Sequence, residues 1–158
     1  MKRTLIFTLV LILVCAMNGC SASETYMGFA KSDFTVLSES DSHGGFHGDG
    51  VYALALDCAE NKEAALDILQ DWPSLPLSEN LQLILYGGEK NGVSYEYDLA
   101  EQAGIPEIKN GYYCFTDRHS KSTDAKDDTE LFSRSSYNFS LALYDSDTDR
   151  LYYLEFDT

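Results

Sequence analysis

The stretch at residues 137–157, YNFSLALYDSDTDRLYYLEFD, contains two apolar-rich segments joined by a short run rich in aspartate. In the first segment Phe139, Leu141 and Leu143 alternate with other side chains, and Leu154 and Phe156 alternate in the same way in the second. A period of two places successive side chains on opposite faces of a strand. The stretch therefore predicts a C-terminal β-hairpin at the centre of a sheet.

The turn of this hairpin, DSDTD at residues 145–149, is similar to the start of an EF-hand calcium loop. However, Arg150 stands where such a loop needs glycine, and Phe156 stands where it needs a bidentate glutamate. Aspartate is also frequent in turns because its carboxylate accepts hydrogen bonds from the nearby backbone. We interpret the stretch as a turn.

The remaining sequence predicts further strands and two helices. Ala65, Ile68, Leu69 and Trp72 follow the three-to-four spacing of an amphipathic helix. A capping box at Asp98 and Glu101 indicates a second, short helix. The predicted strands cover residues 34–38, 51–58, 81–88 and 111–117, and the main helix covers 60–72. This pattern indicates an α+β fold, with a mostly antiparallel sheet, one main helix and the C-terminal β-hairpin.

The N-terminal segment has the order of a secretory signal peptide. Lys2 and Arg3 precede a mostly aliphatic run at residues 5–17. A helix of about 13 residues is roughly 20 Å long, which is shorter than the ~30 Å hydrocarbon core of a bilayer. The segment is therefore expected to be removed and not to remain as a membrane span.

Residues 17–20, MNGC, resemble the lipobox of bacterial lipoproteins, in which a small residue precedes the lipidated cysteine. The resemblance implies a signal peptide at 1–19, acylation of Cys20 (for example with palmitate), a tether at 20–32 and one globular domain at 33–158. It also implies a lipid anchor on the extracytoplasmic face of the cell membrane. Ordinary cleavage after Ser21 or Ser23 is the alternative, and it releases a soluble protein.

The stretches GFHGDG, DILQDWPSLPLSENLQL and the part from DRHS onward are similar to uncharacterised small lipoproteins of Gram-positive bacteria. That resemblance implies no particular activity. The sequence also lacks the Gly-x-Ser-x-Gly elbow, the P-loop and the dinucleotide fingerprint.

The charge of the chain limits its partners. The sequence has 11 basic and 26 acidic residues, a net charge of −15. Removal of residues 1–19 takes away Lys2 and Arg3 and leaves 9 basic against 26 acidic residues, or −17. This charge excludes binding to nucleic acid and leaves a basic or neutral protein, a cation or a neutral ligand as a partner. The alternative is that the charge only keeps the domain soluble and away from the membrane surface.

Two groups of side chains are candidate sites. His43, His47 and Asp49 lie in a glycine-rich loop and are types of ligand that bind zinc or iron. With His119 they would suit a metal-assisted hydrolase. The glycines of this loop are equally explained by a turn between two strands.

The second candidate group flanks a long polar loop. Asp117, Arg118 and His119 precede the loop and Arg134 lies at its far side. An arginine there can clamp an anionic group, and we expect recognition of a partner and not catalysis. The alternative is that both arginines form ion pairs with the acidic residues of the loop, which are Asp124, Asp127, Asp128 and Glu130.

Cys58 and Cys114 remain after processing, and they form either a disulfide or two buried free thiols. The function that these patterns favour is a non-enzymatic, membrane-anchored binding module, of the immunity or inhibitor type. The metal-assisted hydrolase is the alternative, and a purely structural envelope protein is the third hypothesis.

Overall fold

A computed structural model describes residues 24–44 and 48–158 of the chain. Its centre is a five-stranded antiparallel sheet with the strand order β3-β4-β9-β8-β7. Four short strands form two separate hairpins. The strands are β1 (Thr25–Tyr26), β2 (Phe29–Ala30), β3 (Thr35–Asp41), β4 (Gly50–Asp57), β5 (Gly88–Lys90), β6 (Val93–Tyr95), β7 (Gly111–Asp117), β8 (Asn138–Asp145) and β9 (Arg150–Asp157).

The predicted C-terminal hairpin is confirmed as β8 and β9, which pair from Asn138 with Asp157 to Asp145 with Arg150. The turn is held by Asp145, whose carboxylate accepts hydrogen bonds from Asp147 N at 2.9 Å and from Thr148 Oγ1 at 2.7 Å. The aspartates therefore build a turn, as the sequence indicates.

The alternating side chains of the hairpin enter two hydrophobic cores, one on each face of the sheet. Leu141 and Leu143 belong to the larger core, whereas Ala142 and Tyr144 belong to the smaller one. All four are at most 1% exposed. Because both faces are covered, the hairpin forms the middle of a three-layer arrangement, and the α+β fold class is confirmed.

The predicted main helix is present as α1 (Lys62–Leu69), preceded by a 3₁₀ turn at Ala59–Asn61. Ala65 and Leu69 of α1 are buried in the smaller core. A second helix of equal length, α2 (Glu79–Tyr86), covers the larger core. The short helix is α3 (Leu99–Gln102). Its predicted capping box does not form, since the Asp98 carboxylate accepts a hydrogen bond from the Gln102 side chain and no backbone amide.

The prediction of a strand at 81–88 is wrong, because this stretch is α2 followed by the start of β5. The Ser78 hydroxyl caps α2 by accepting a hydrogen bond from Leu81 N at 3.1 Å. Gly87 ends it with a φ of 70°, a conformation that favours glycine. Leu81, Ile84 and Leu85 then share the buried face at helical spacing.

The folded domain also begins before the predicted boundary at residue 33. The strands β1 and β2 form a hairpin within the expected tether, and Phe29 is 0% exposed in the smaller core. Phe29 packs against Trp72, with ring centroids 5.6 Å apart, and against Tyr144. A buried aromatic side chain of this size anchors the segment to the domain.

The predicted signal peptide and Cys20 lie outside the described residues. Within the part of the chain that the structure does describe, every helix is too short or too polar to cross a membrane.

The two edges of the sheet differ. At the β7 edge, Tyr113 N donates to Pro73 O at 3.0 Å and Gly111 O accepts from Leu75 N at 3.0 Å. Further along, Asp117 N donates to Ala125 O at 2.7 Å. At the β3 edge, every residue of the strand is exposed. One edge is therefore covered by other parts of the chain, whereas the residues that the structure describes leave the other edge open.

Candidate functional site

The structure brings Asp117 and Arg134 together as a buried ion pair. Arg134 Nη2 lies 2.6 Å from Asp117 Oδ2, and Nη1 lies 3.1 Å from Oδ1. The two side chains are 10% and 2% exposed, respectively. Such a two-point contact is the geometry that an arginine and a carboxylate prefer. The pair closes the end of β7 against the polar loop.

The contacts of this pair favour the negative charge of Asp117 and the positive charge of Arg134. Burial acts to raise the pKa of Asp117, but hydrogen bonds from Arg134, the His119 backbone and Ser122 overcome it, and the pKa lies below its usual value. The hydrogen bond to Asp117 raises the pKa of Arg134. Because the two charges satisfy each other, Arg134 is a structural partner of Asp117 and does not clamp an external anion.

An open cleft of about 690 Å³ lies beside the pair. Its walls include three acidic side chains of the loop, and each accepts a local hydrogen bond. Asp124 accepts from Lys126 N at 2.9 Å, Asp127 from Thr129 N at 2.9 Å, and Glu130 from Ser133 Oγ at 2.7 Å. These contacts fix the orientation of the carboxylates. The acidic cleft, as we call the cavity lined by Asp117, Lys121–Asp124, Asp127, Glu130 and Ser133–Ser135, suits a cationic group.

His119 is bound by neighbours on both sides of its ring. Lys121 N donates to Nδ1 at 3.2 Å, so Nδ1 is the unprotonated nitrogen, and Nε2 then donates to Ser136 Oγ at 3.2 Å. These contacts assign one neutral tautomer to the ring. They give His119 a role in shaping the loop.

Arg118 points away from the acidic cleft. Its Nη2 donates to Asp157 Oδ2 at 3.1 Å and to Phe139 O at 3.2 Å. The sequence groups Arg118 with Arg134, but the structure separates them, since each pairs with a different aspartate. The alternative interpretation, in which both arginines form ion pairs with the carboxylates of the loop, is therefore wrong.

His43 lies between two carboxylates. Its Nδ1 is 2.7 Å from Asp41 Oδ1 and its Nε2 is 3.1 Å from Asp157 Oδ2. Both ring nitrogens therefore face carboxylates of the chain itself, which is a satisfied arrangement when the ring carries both protons. Asp157 thus joins His43 to Arg118, a connection that the sequence analysis missed. Burial acts to raise the pKa of Asp157, but hydrogen bonds from Asn138, Arg118 and His43 lower it overall.

The predicted metal site is only partly described. His47 lies outside the described residues, and Asp49 forms an isolated backbone bridge with Gly44. Within residues 24–44 and 48–158, no three His, Cys, Asp or Glu side chains are grouped as metal ligands. The metal-assisted hydrolase therefore stays a prediction.

Cys58 and Cys114 are both free thiols. Cys58 follows β4 and Cys114 lies on β7, so β9 and β8 separate them. Three strand spacings amount to about 14 Å, which is more than twice the usual Cα separation of a disulfide. Burial raises the pKa of Cys58 to about 12. Of the two alternatives from the sequence, the structure has the free thiols.

Comparison with known proteins leaves the family of the chain open. No protein-family model matches the sequence, and no curated protein or solved structure shows a significant match to it.

Proposed function

We propose that the chain is a lipoprotein, anchored through Cys20 to the extracytoplasmic face of the cell membrane, whose domain binds a basic or neutral protein and has no catalytic role. The observation that carries the binding part is the acidic cleft beside the buried Asp117–Arg134 pair. Four carboxylates and two cationic side chains line this cleft, and two of these six charges belong to the pair. The other four charges are three carboxylates and one lysine, so the rest of the cleft carries a net negative charge.

The acidic cleft supports binding for two physical reasons. Its carboxylates are already oriented by local hydrogen bonds, so a partner would immobilise few side chains on binding. The charge of −17 after removal of residues 1–19 also accelerates encounter with a basic protein. Both properties suit an immunity or inhibitor protein that must capture a secreted basic protein quickly.

Metabolic labelling tests the anchor. In cells that express the full chain with radioactive palmitate, we expect label on the wild type and on Cys15→Ser, but not on Cys20→Ser. Cys15→Ser is a matched control, because it removes a thiol from the same N-terminal segment. Label on Cys20→Ser, or none on the wild type, would contradict the proposed anchor.

Capture from an envelope extract tests the binding part. The test variant neutralises three charges of the acidic cleft by replacing Asp124→Asn, Asp127→Asn and Glu130→Gln. Each new amide oxygen can still accept the local hydrogen bond, so the loop is expected to keep its conformation. We expect the wild-type chain to retain a basic protein at low salt and the test variant to lose it.

The control variant removes the same number of charges elsewhere, through Glu60→Gln, Glu63→Gln and Asp71→Asn. These side chains are exposed in and around α1, away from the acidic cleft. The control should retain the partner. Equal loss in the two variants would mean that only net charge matters, and equal retention would exclude the acidic cleft as the binding surface.

A further inference from the structure

We propose that the open edge of β3 is a docking strand for an extended segment of a basic partner protein, which adds a sixth strand to the sheet. This inference goes beyond the proposed function because it concerns a different surface and holds whether or not Cys20 is acylated. Addition of a strand to an exposed sheet edge is a known mode of peptide recognition, in which main-chain hydrogen bonds provide affinity.

The register of the sheet determines which backbone groups of β3 point outward. Ser42 N donates to Val51 O at 2.9 Å, so Ser42 faces β4. Alternate residues of an antiparallel strand share one direction, so Ser40 and Ser38 also face β4. Glu39 and Asp41 therefore direct their N–H and C=O groups away from the sheet. These groups are the free side of the ladder.

The β7 edge shows how this chain covers a strand. There the outward groups of Gly111, Tyr113 and Asp117 all bind backbone from residues 73–75 or from Ala125. Among the residues that the structure describes, no backbone group is recorded as bound to the outer side of β3 in this way. A free row of backbone donors and acceptors is a template for pairing with another chain.

Both faces of β3 are accessible as well. All seven residues of the strand are exposed, and Val36 and Leu37 are 40% and 45% exposed. The register shifts between Val36 and Ser38, so an irregularity lies at Leu37. Regular pairing is therefore available from Ser38 to Asp41, and the irregularity sets the register of an added strand.

The charge around β3 selects the partner. The strand itself contains no lysine or arginine, and Glu39 and Asp41 share one face because they are two residues apart. A second copy of the chain would align one such strand with another, which places like charges together. A segment with lysine or arginine at alternate positions instead meets these carboxylates. It would share Glu39 with Lys31, whose Nζ lies 2.7 Å from both carboxylate oxygens, and Asp41 with His43. The ion pairs at and next to β3 contain three carboxylates (Glu24, Glu39 and Asp41), one lysine (Lys31) and one histidine (His43).

A designed peptide tests the proposal on the full chain purified in a mild detergent. The probe is a fluorescent eight-residue peptide with blocked ends that alternates lysine with valine or threonine. The control peptide has the same sequence with glutamate in place of each lysine. Fluorescence anisotropy should show binding of the lysine peptide at least about tenfold tighter than of the glutamate peptide. Hydrogen exchange should show new protection at the amides of Glu39 and Asp41.

A proline substitution separates the backbone contribution from that of charge. Glu39→Pro removes one outward N–H and the carboxylate, whereas Glu39→Ala removes the carboxylate alone. Proline is tolerated on the outer side of an edge strand, and circular dichroism checks that each variant folds. Relative to Glu39→Ala, we expect Glu39→Pro to bind the lysine peptide about tenfold more weakly, because one hydrogen bond is lost. If Glu39→Pro does not fold, the test rests on hydrogen exchange in the wild-type chain: protection of the Glu39 and Asp41 amides by the lysine peptide supports the proposal, and no protection there contradicts it.

Three results would overturn the inference. The first is equal binding by Glu39→Pro and Glu39→Ala when both are folded. The second is protection by the lysine peptide at residues 121–135 only, which assigns the peptide to the acidic cleft and leaves the proposed function intact. The third is dimerisation of the chain at micromolar concentration through β3, which assigns the edge to a second copy. Failure of palmitate labelling changes none of these outcomes.

Discussion

The two edges of the sheet lie in the same domain but are built in different ways. Strand β7 has outward backbone groups bound by residues 73–75 and by Ala125, and it ends at the buried Asp117–Arg134 pair. In strand β3 all seven residues are exposed, and within residues 24–44 and 48–158 no backbone group binds its outer side. The open edge at β3 is therefore not a general property of this small sheet. The described part of the chain covers one edge with its own backbone and leaves the other available.

The first prediction has the largest expected effect and concerns the covered edge. A Cβ at Gly111 would lie 1.9 Å from Tyr144 O on the neighbouring strand. We expect Gly111→Ala to lower the free energy of unfolding by more than about 3 kcal/mol, because the backbone of β8 at Tyr144 and Asp145 must move. Urea unfolding measures the change.

Gly44 at the open side of the sheet provides the matched control. A Cβ there has Ser42 O as its nearest contact, at 3.8 Å. Gly44→Ala should therefore change the free energy of unfolding by less than about 0.5 kcal/mol. Similar losses in the two variants would mean that the close contact between Gly111 and Tyr144 does not set the stability of the β7 edge.

The second prediction compares the two arginines that the sequence places together. Arg134→Gln leaves the buried Asp117 carboxylate without its charged partner, and we expect a loss of about 3 kcal/mol in unfolding free energy. Arg118→Gln should cost at most about 1 kcal/mol, because Arg118 is 35% exposed and water can replace it. Chemical denaturation of the two variants under the same conditions measures both losses, and an inverted order would contradict the assignment.

The third prediction concerns pH. The folded state lowers the pKa of Asp117, so the unfolded chain binds its proton more readily and stability rises with pH. The stabilisation is complete above the unfolded pKa of about 3.9 and is lost as the pH falls through the folded value. Asp117→Asn should cost about 2 kcal/mol near neutral pH, and this difference should shrink in acid.

Unfolding of wild type and Asp117→Asn between about pH 2 and pH 6 measures that change. Asp41→Asn at the open edge is the control, since Asp41 is exposed and also has a lowered pKa, chiefly through the His43 backbone hydrogen bond. Its effect should have the same sign but be smaller. A pH-independent difference for Asp117→Asn would show that Asp117 is not charged in the folded state.

The fourth prediction concerns amide hydrogen exchange in the wild-type chain and needs no substitution. The amides of Tyr113 and Asp117 point outward from β7 and are hydrogen-bonded, so they should exchange slowly with deuterium. Those of Glu39 and Asp41 point outward from β3 and should exchange at close to the unprotected rate. Residue-resolved exchange by NMR checks both. Slow exchange at Glu39 in the isolated chain would indicate a cover over β3.

The sequence pattern predicts the C-terminal hairpin correctly, but it does not predict the helix α2. Around Leu141 a strict period of two has one structural interpretation, because a helix would scatter these side chains around its axis. In the stretch from Leu81 to Leu85, leucines at spacing two coexist with an Ile84 and Leu85 pair that suits a helix. The Ser78 cap and the Gly87 terminus decide between them, and the sequence analysis used neither signal.

The candidate sites were predictable where the chain is locally connected. Asp117 and Arg134 flank the same loop, so the sequence places them in one candidate site, although it does not predict that they pair with each other. Asp157 also contacts Arg118, which is 39 positions away in the sequence, and His43, which is 114 positions away. Such contacts depend on strand order, which a single sequence with local patterns does not specify.

The place of β9 in the sheet has a consequence for how the protein is made. Gly50 pairs with Asp157 and Asp57 pairs with Arg150, so the ladder between β4 and β9 joins residues that are far apart in the chain. During synthesis β4 can pair with β3, which precedes it, but its other side has no partner until β9 is made, and pairing at this separation is slow. An exported protein has to pass through a narrow translocation channel before it acquires tertiary structure. The late arrival of β9 would delay closure of the sheet, which is what the export that we propose for this chain requires.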